Sequence, residues 1–432
     1  MQVSVEAGEG LERRLTVTLA ADQIESEVDK RLKEMARTAR LSGFRPGKVP
    51  VKVLRQRYQQ QLQREVLADL VSPTFADAIA QEQLSPAGMP EIEPEIDPAA
   101  GRFGYTATFE VLPGFQLAEL SGATIKRPQV EVTDADVAEV IDRLRGQRKT
   151  WKPVERPAQQ GDLVTIDYQG QVDGEPFEGG SGADVKVEVG AGKAMPGLEE
   201  GLVGALAGEE KTVEREYPED YQAPALQGKT ARFAVTVKEV AEPELPEIDA
   251  DFVRAFGIDD GDVERFEREV RENLERERRQ RARARVRDQV MNALLEANPI
   301  PVPGALVKKE IDALKKQTLE NAGASAQIAL PDDLFAEAAR RRVALGLVVA
   351  EVVKRHELKA EPERVKAMVE ELAAGFESPQ EVVRHYYADP KRLEPVESRV
   401  LEETVVDWAM QQMTVEDESM SFDELATQTG SG

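Results

Sequence analysis

The chain has 432 residues, which is too long for one hydrophobic core and leads us to expect about two to four domains. Charged residues make up 32% of the chain and aromatic residues 5%, a composition typical of a helix-rich protein with much exposed surface. The net charge of −25 argues against a molecule that binds nucleic acids or membranes over its whole surface, because both partners are polyanionic. The chain contains no cysteine, which excludes disulfides, thiol catalysis and cysteine metal sites.

Neither the start of the chain nor its interior has the pattern of a targeting or membrane-spanning segment. Residues 1–6 lack the basic and apolar regions of a signal peptide. The most apolar stretch, residues 343–353, is interrupted by Glu351 and is shorter than the roughly 20 residues that cross a bilayer. We therefore expect a cytoplasmic protein.

The first 112 residues mix strand and helix patterns. Residues 11–19 alternate between apolar and polar side chains, as a half-buried strand does, and residues 105–111 do the same. Between them, two helical stretches are predicted on either side of a loop rich in Gly and Pro at residues 42–50. The pattern predicts an α+β domain over residues 1–112.

A connecting segment, residues 113–152, is predicted to pack with the C-terminal body. Thr133 and Asp136 have the spacing of a capping box and predict the start of a helix there.

Residues 153–246 differ from the preceding residues in being rich in Gly and in strand patterns, with Asp173-Gly174 marking a hairpin turn. This region predicts a compact antiparallel sheet domain with one short helix.

Residues 247–432 have an almost wholly helical pattern, including a long charged helix over about residues 265–295. The end of the chain, from about Thr414, is acidic and polar and is predicted to be frayed. The fold class expected for the whole chain is multidomain α+β, with an all-α C-terminal region.

Residues 29–64 reverse the overall sign of the chain, because only Asp29 and Glu34 oppose a large set of cations. Such side chains release counterions when they bind phosphate, and Phe44 would add an aromatic anchor at the loop tip. The alternative to a binding site is a helical hairpin whose charged side chains only face solvent, as those of a run of charged residues usually do. The positive residues are Lys30, Arg31, Lys33, Arg37, Arg40, Arg45, Lys48, Lys52, Arg55, Arg57 and Arg64.

The loop at residues 43–50 resembles the Gly-Phe-Arg-x-Gly-Lys-x-Pro signature of the trigger-factor family, and the likeness runs colinearly over essentially the whole chain. The resemblance implies a chaperone that docks beside the exit tunnel of the large ribosomal subunit, on protein and ribosomal RNA. Pro46 stands where some members carry a further basic residue, and it stiffens the loop. The residues that this resemblance assigns to docking are Gly43, Phe44, Arg45, Pro46, Gly47 and Lys48.

The segments at residues 164–179 and 194–201 are similar to those of FKBP-type prolyl isomerases. Isomerisation of an X-Pro bond needs no nucleophile, metal or cofactor, because an apolar site can bind the twisted amide that has lost its resonance. Leu198 occupies a floor position that is Trp or Phe in typical members, so we expect reduced efficiency. The residues that the resemblance places at the pocket are Tyr168, Phe177, Glu178, Met195, Leu198, Tyr221 and Phe233.

The family further implies a helical chaperone domain, at residues 247–432, that holds nascent and unfolded polypeptides through dispersed apolar patches. No Gly-rich Lys-Ser/Thr phosphate loop is visible, which agrees with independence of ATP. The same analogy leads us to expect a homodimer off the ribosome. We expect no cofactor and no metal. Two other functions remain open: a free prolyl isomerase whose flanking domains recruit substrate, and an RNA-binding protein that uses the cationic hairpin.

Overall fold

The computed structural model describes residues 1–42, 44, 47–97, 102–194, 198–217, 226–323, 330–376 and 378–428, and all of their side chains except that of Glu178. The chain forms two compact units, and each is built from two separate stretches of sequence. The first unit combines Met1–Pro128 with Ala284–Glu418, and the second combines Gln129–Arg283 with the residues from Ser419 onward.

The helices and strands within the described residues follow one another in the order β1, β2, α1, α2, β3, β4, β5, α3, β6, β7, β8, α4, β9, β10, α5 to α11, β11 and α12. Their bounds are β1 Gln2–Ala7, β2 Glu12–Leu19, α1 Ala21–Thr38, α2 Val51–Gln81, β3 Glu91–Asp97, β4 Arg102–Glu110, β5 Thr124–Gln129, α3 Asp134–Gln147, β6 Thr150–Pro153, β7 Leu163–Val172, β8 Glu175–Glu188, α4 Leu198–Leu202, β9 Glu210–Glu216, β10 Thr230–Glu244, α5 Ala250–Arg254, α6 Val263–Ala297, α7 Gly304–Asn321, α8 Asp333–His356, α9 Pro362–Ala373, α10 Pro379–Tyr387, α11 Pro390–Met410, β11 Thr414–Ser419 and α12 Phe422–Gln428.

The N-terminal part of the first unit is an antiparallel sheet, in the order β1-β2-β4-β3, covered by α1 and α2. The apolar positions of β2 are buried, as their alternation predicts, and α1 buries Ile24, Val28 and Leu32 at a spacing of four residues. Tyr105 of β4 is fully buried, and its hydroxyl lies 3.0 Å from that of Thr74 in α2. The core thus forms between one face of the sheet and one face of each helix.

The C-terminal part of the first unit is helical, and its core also takes in residues that follow the N-terminal sheet. Leu120 and Ile125 are buried together with Val290 of α6 and Val405 of α11. The buried Asn298 accepts a hydrogen bond from the Ala118 backbone N–H at 2.8 Å, although the two residues are 180 positions apart. The segment after the sheet is therefore fixed to the helical core by both apolar and polar contacts.

The second unit contains an antiparallel sheet in the order β6-β10-β7-β8, with β9 also paired to β10. Asp173 and Gly174 both have positive φ, so the turn between β7 and β8 is the type I′ hairpin that Asp-Gly favours. The side chain of Thr133 and that of Asp136 form the predicted capping box of α3. The antiparallel sheet with the short helix α4 agrees with the predicted fold class.

The prediction of a frayed C-terminus is wrong. Residues Thr414–Ser419 form β11, which pairs with β5, and α12 follows with Leu425 fully buried. Two of the three acidic side chains of β11 pair with cations of β5: Arg127 donates to the Asp417 carboxylate at 2.7 and 3.1 Å, and Lys126 to that of Glu418 at 3.1 Å. An acidic segment stays solvated only where no cations lie across from it, and here Lys126 and Arg127 of β5 lie across from β11.

Candidate functional sites

The loop between α1 and α2 is tied to the end of α1. The Phe44 N–H donates to the Leu41 carbonyl at 3.0 Å, and the Gly47 N–H donates to the Ala39 carbonyl at 3.2 Å. Gly47 has φ +72°, and a Cβ there would lie 2.9 Å from the Arg37 carbonyl oxygen, so only glycine fits. Of the six docking residues, Gly43, Arg45 and Pro46 lie outside the described residues.

Phe44 and Lys48 are exposed in this loop, and the Phe44 side chain is 39% exposed. Val49, next to Lys48, is buried in the N-terminal core and fixes the return of the chain into α2. The loop therefore presents an aromatic ring and a cation to solvent on a backbone anchored at both ends.

The cations around this loop divide into two groups. Lys30 pairs with Glu27 at 2.8 Å, Arg31 with Asp69, and Arg55 with Glu25 at 3.2 Å and with Asp29. The second group is exposed and has no ion-pair partner anywhere in the described chain. Two of these unpaired cations, Arg57 and Arg64, lie farther along α2. The other five lie in the second half of α1, in the loop and at the start of α2: Lys33, Arg37, Arg40, Lys48 and Lys52.

We refer to these five unpaired residues as the cationic tip. Lys33 and Arg37 are four residues apart on α1 and share a face, while Lys48 lies in the loop just before α2 and Lys52 in its first turn. Gly47 contacts the Arg37 and Ala39 backbone, which brings the two pairs to the same end of the hairpin. The positive run is visible in the sequence as a whole, but only the ion pairs decide which of its members are free to bind a partner.

Three aromatic rings predicted for the pocket lie together on the sheet of the second unit. The rings of Tyr168 and Phe233 are 6.1 Å apart at 63°, and those of Phe177 and Phe233 are 6.1 Å apart at 83°. Both pairs have the edge-to-face geometry that the ring quadrupoles favour. Phe233 is buried, whereas Tyr168 and Phe177 are half-buried and form the accessible wall.

Leu198, the first residue of α4, is buried in the same apolar core as Phe233. Its side chain is 4% exposed, so it closes the core beneath the rings without an aromatic surface of its own. Met195 and Tyr221 lie outside the described residues, as does the Glu178 side chain. The structure therefore brings together four of the seven predicted pocket residues and describes no placement for the other three side chains.

Glycines provide the space for the three rings. A Cβ on Gly170 would lie 2.6 Å from the Phe233 ring, one on Gly180 2.9 Å from the Phe177 ring, and one on Gly182 2.7 Å from the Tyr168 ring. Real Cβ contacts are longer than this, so a side chain would displace each ring. Sequence reasoning missed these glycines, although several glycines within strands next to aromatic residues are a signal of close packing.

Glu199 organises the loop that leads to the pocket helix. Its carboxylate accepts backbone N–H bonds from Ala194 at 2.8 Å, Gly190 at 2.9 Å and Gly192 at 3.0 Å. These donors, chiefly the Ala194 N–H, hold the pKa of the Glu199 carboxyl below its usual value. The sequence analysis missed this residue, whose signal was an acidic side chain in the first turn of a helix after a glycine-rich loop.

The helices of the C-terminal part surround a cleft of about 800 Å³, which the sequence analysis did not predict. Its walls come from the end of α9, one face of α10 and the first half of α11. Phe376 is 60% exposed at its edge, and Arg399 has no ion-pair partner in the described chain. Most of its lining is apolar: Leu372, Phe376, Val382, Tyr386, Pro395 and Val396.

The described residues contain no group of three or more His, Asp or Glu side chains that could hold a metal ion. No described helix combines the length and the apolar character that crossing a membrane requires.

Known families match this chain along most of its length. A model of the bacterial trigger factor protein (TF) matches residues 1–144, one of its C-terminus matches residues 262–411, and one of FKBP-type peptidyl-prolyl cis-trans isomerases matches residues 154–238. A solved structure that concerns the folding and assembly activities of the trigger factor chaperone covers 95% of this chain and 99% of its own, with 20% identity and a TM-score of 0.48.

Curated relatives named trigger factor cover nearly the whole chain. The protein of Stutzerimonas stutzeri is 47% identical over 425 residues, with 98% of each chain covered. That of Alkalilimnicola ehrlichii is 48% identical over 428 residues, with 98% of this chain and 95% of the relative covered. The chain therefore belongs to the trigger factor family, as a chaperone with an FKBP-type peptidyl-prolyl cis-trans isomerase domain between its N- and C-terminal parts.

Proposed function

We propose that this chaperone docks beside the exit tunnel of the large ribosomal subunit through the α1–α2 loop and the cationic tip. The single observation that carries the proposal is the separation of paired from unpaired cations: five free ones lie in or next to the loop that exposes Phe44, in a chain of net charge −25. Free cations release counterions from phosphate, while cations already bound to carboxylates gain less. The partners are the ribosomal RNA and protein near the tunnel exit.

Co-sedimentation with ribosomes tests docking. We expect the triple substitution Phe44→Ala, Arg45→Ala and Lys48→Ala to abolish binding, because it removes the aromatic anchor and two cations of the loop. Lys30→Gln is the matched control, since Lys30 is already paired with Glu27. Equal binding by the triple variant and the wild type would refute the docking assignment, and tight binding to protein-free RNA of arbitrary sequence would favour a general RNA-binding protein.

The helical C-terminal part is proposed to hold nascent and unfolded chains without ATP. The apolar cleft between α9, α10 and α11 supports this, because its exposed Phe376 offers a surface for one apolar side chain of a client at a time. Several such weak contacts give retention through avidity, and each can dissociate without an energy source. The test is an assay in which the protein suppresses the aggregation of an unfolded client. Phe376→Ser should weaken this suppression and leave ribosome binding unchanged.

The second unit is proposed to catalyse cis–trans isomerisation of X-Pro bonds. The barrier of about 18–20 kcal/mol arises from amide resonance, and a twisted amide has lost that resonance. An apolar pocket lined by Tyr168, Phe177, Leu198 and Phe233 would bind the twisted form better than the planar one, because the twisted carbonyl needs less hydration. By the family's pattern Glu178, Met195 and Tyr221 complete the pocket.

Phe177→Ala tests the pocket, because Phe177 is half-buried and its loss spares the core. We expect slower catalysis of a proline-limited refolding reaction, with the aggregation assay unchanged. A variant as fast as wild type would refute the assignment of Phe177. The free-isomerase alternative, in which the flanking domains only recruit substrate, is favoured if the wild type catalyses the reaction but does not sediment with ribosomes.

The proposed domain limits are residues 1–112 for ribosome binding, 113–152 for the connecting segment, 153–246 for isomerisation and 247–432 for client holding. The cytoplasm is the proposed place of action, since ribosomes and nascent chains meet there. Off the ribosome we propose a homodimer by family analogy. Sedimentation velocity over a range of concentrations tests this, and a single species of monomer mass throughout would contradict it.

A further inference from the structure

Two β-bulges lie beside the central strand β7, one opposite Asp167 on the β8 side and one opposite Thr165 and Ile166 on the β10 side. On one side, Ile166 pairs with Val185 and Tyr168 with Gly182, so β8 carries an extra residue opposite Asp167. On the other side the register with β10 shifts at Lys238, which is the extra residue of that strand. A bulge bends its strand and re-aims the neighbouring side chains, and here two bulges adjoin along β7 just before the pocket residue Tyr168.

The side chains at these bulges form one connected group. The Asp167 carboxylate accepts the Asp184 backbone N–H at 2.8 Å and lies 3.0 Å from the Lys238 ammonium. The same ammonium donates to the Asp184 carboxylate at 2.7 Å. Asp184 has φ +54°, a left-handed conformation that Asp tolerates better than most residues. We call Asp167, Asp184 and Lys238 the bulge clamp, because it joins β8, β7 and β10.

The bulge clamp lies beside Tyr168 of the pocket wall and beside Val185, which packs against the same core. Gly182 separates Tyr168 from Val185, since a Cβ on Gly182 would be 2.7 Å from the Tyr168 ring and 2.9 Å from a Val185 methyl. Tyr168 follows Asp167 in sequence, and Val185 follows Asp184. A change of register at the bulge would therefore move both side chains, because a slip by one residue turns a strand's side chains to its other face.

We propose that Lys238 is a positioning residue for X-Pro isomerisation: by bridging the carboxylates of Asp167 and Asp184 across β7, it fixes the two bulges that place Tyr168 at the pocket wall, with Val185 packed beside it. The inference rests on the proposed isomerase activity. Lys238 does not touch the substrate itself. Its ion pairs are partly exposed, and such pairs add little to the free energy of unfolding, so the effect of removing them falls on geometry more than on stability.

The test compares full-length Lys238→Met, Lys238→Arg and Lys229→Met with the wild type. Lys229 is the matched control, since it forms an exposed ion pair with Asp173 at 3.0 Å in the same sheet but at no bulge. Measured are kcat and KM for a proline-containing peptide, the thermal midpoint, and hydrogen exchange of the residues around Asp184. We expect Lys238→Met to lower kcat/KM about tenfold, as small displacements of positioned groups do.

Lys238→Arg should restore most of the activity, because arginine can still bridge two carboxylates. Exchange at Asp184 should be faster in Lys238→Met and close to wild type in the other two variants. Unchanged kcat/KM in Lys238→Met would overturn the proposal, and so would an arginine variant as impaired as the methionine one at an equal thermal midpoint.

If Lys238→Met fails to fold, Asp167→Asn decides the question. It keeps an acceptor for the Asp184 N–H but loses the ion pair, so full activity in a folded Asp167→Asn would overturn the proposal and a drop in kcat/KM would support it. A wild type without isomerase activity would refute the proposed function itself. An active wild type with fully active clamp variants would refute only the role of Lys238.

Discussion

The Arg156 guanidinium donates two hydrogen bonds to the Asp162 carboxylate, at 2.6 and 3.0 Å, just before the first long strand of the isomerase sheet. Asp162 is only 2% exposed and also accepts the Gln159 N–H at 2.8 Å. Burial acts to raise the pKa of the Asp162 carboxyl, but the Arg156 and Gln159 donors outweigh it and hold the pKa below its usual value. This bidentate pair therefore links the stability of the sheet to pH.

Asp162→Asn should destabilise the isomerase sheet at neutral pH and have a smaller effect in acid. Because the folded pKa is depressed, the ionised carboxylate stabilises the fold at pH above the unfolded pKa of about 3.9, and this contribution is lost as pH falls through the folded pKa. Hydrogen exchange of the β7 amides measures the effect. Asp173→Asn, which removes an exposed ion pair, serves as the control. If Asp162→Asn differs from the wild type by the same amount at neutral and at acid pH, the linkage is contradicted.

Gly182→Ala should lower isomerase activity while the domain still folds. The new methyl would lie 2.7 Å from the Tyr168 ring, and overpacking of this kind costs about 1–3 kcal/mol of unfolding free energy. We expect the ring to move and kcat/KM to fall about tenfold. Gly146→Ala is the control, because nothing lies within 4 Å of a Cβ there and alanine favours its helix. Wild-type activity in Gly182→Ala would mean that Tyr168 does not form the wall.

Glu199→Gln should loosen the loop before the pocket helix. The glutamine has the same size but only one acceptor oxygen, so at least one of the three N–H groups loses its partner. We expect faster hydrogen exchange at Gly190, Gly192 and Ala194, and a higher KM for a proline-containing peptide. Since the folded pKa of Glu199 is depressed, the wild type should approach the variant as pH falls through that pKa. Slow exchange in the variant at neutral pH would rule out this role.

Ribosome binding should depend less on salt when the cationic tip is reduced. Each cation that neutralises a phosphate contributes about one unit to the slope of log affinity against log salt, so Lys33→Gln with Arg37→Gln should reduce that slope by about two. Lys30→Gln, which removes a cation already paired with Glu27, should change it by less than about one. An unchanged slope in the double variant would place these residues outside the RNA contact and leave protein contacts to account for docking.

Leu198→Phe should raise isomerase activity. An aromatic side chain at the start of α4 would restore the larger apolar floor of typical FKBP-type members, although its extra volume costs about 1–3 kcal/mol of stability in a site only 4% exposed. Catalysis of proline-limited refolding at a temperature well below the unfolding midpoint measures the effect. A folded variant with lower kcat/KM than wild type would show that leucine does not limit the pocket.

Local elements were predictable wherever the signal is local. The Asp-Gly turn before β8 follows from the conformations that these two residues prefer, and the capping box at Thr133 follows from hydrogen bonds across three residues. The strand of residues 12–19 follows from alternation. The short strand β1 and helix α10 were missed because their periodic patterns extend over only six and nine residues.

The sequence predicted in which regions the candidate sites lie, but not the contacts between their side chains. Family motifs placed Phe44, Tyr168, Phe177 and Phe233, whereas Glu199 and the bulge clamp became visible only through contacts. A bulge has no local sequence pattern of its own, because it arises where one strand has an extra residue relative to the strand with which it pairs. The role of Lys238 therefore could not be inferred from its position in the sequence.

The sequence by itself determined the long helices, the alternation of β2 and β4, the run of cations and the likeness to the trigger factor family, because these depend on the order of neighbouring residues. Only the tertiary structure decided that the acidic residues 414–419 form a strand against β5, and that Lys30 is paired while Lys33 is free. Both outcomes depend on charges brought together by folding. Whether a charged side chain faces a partner or solvent is a property of its neighbours in space, and these are fixed only when the core has formed.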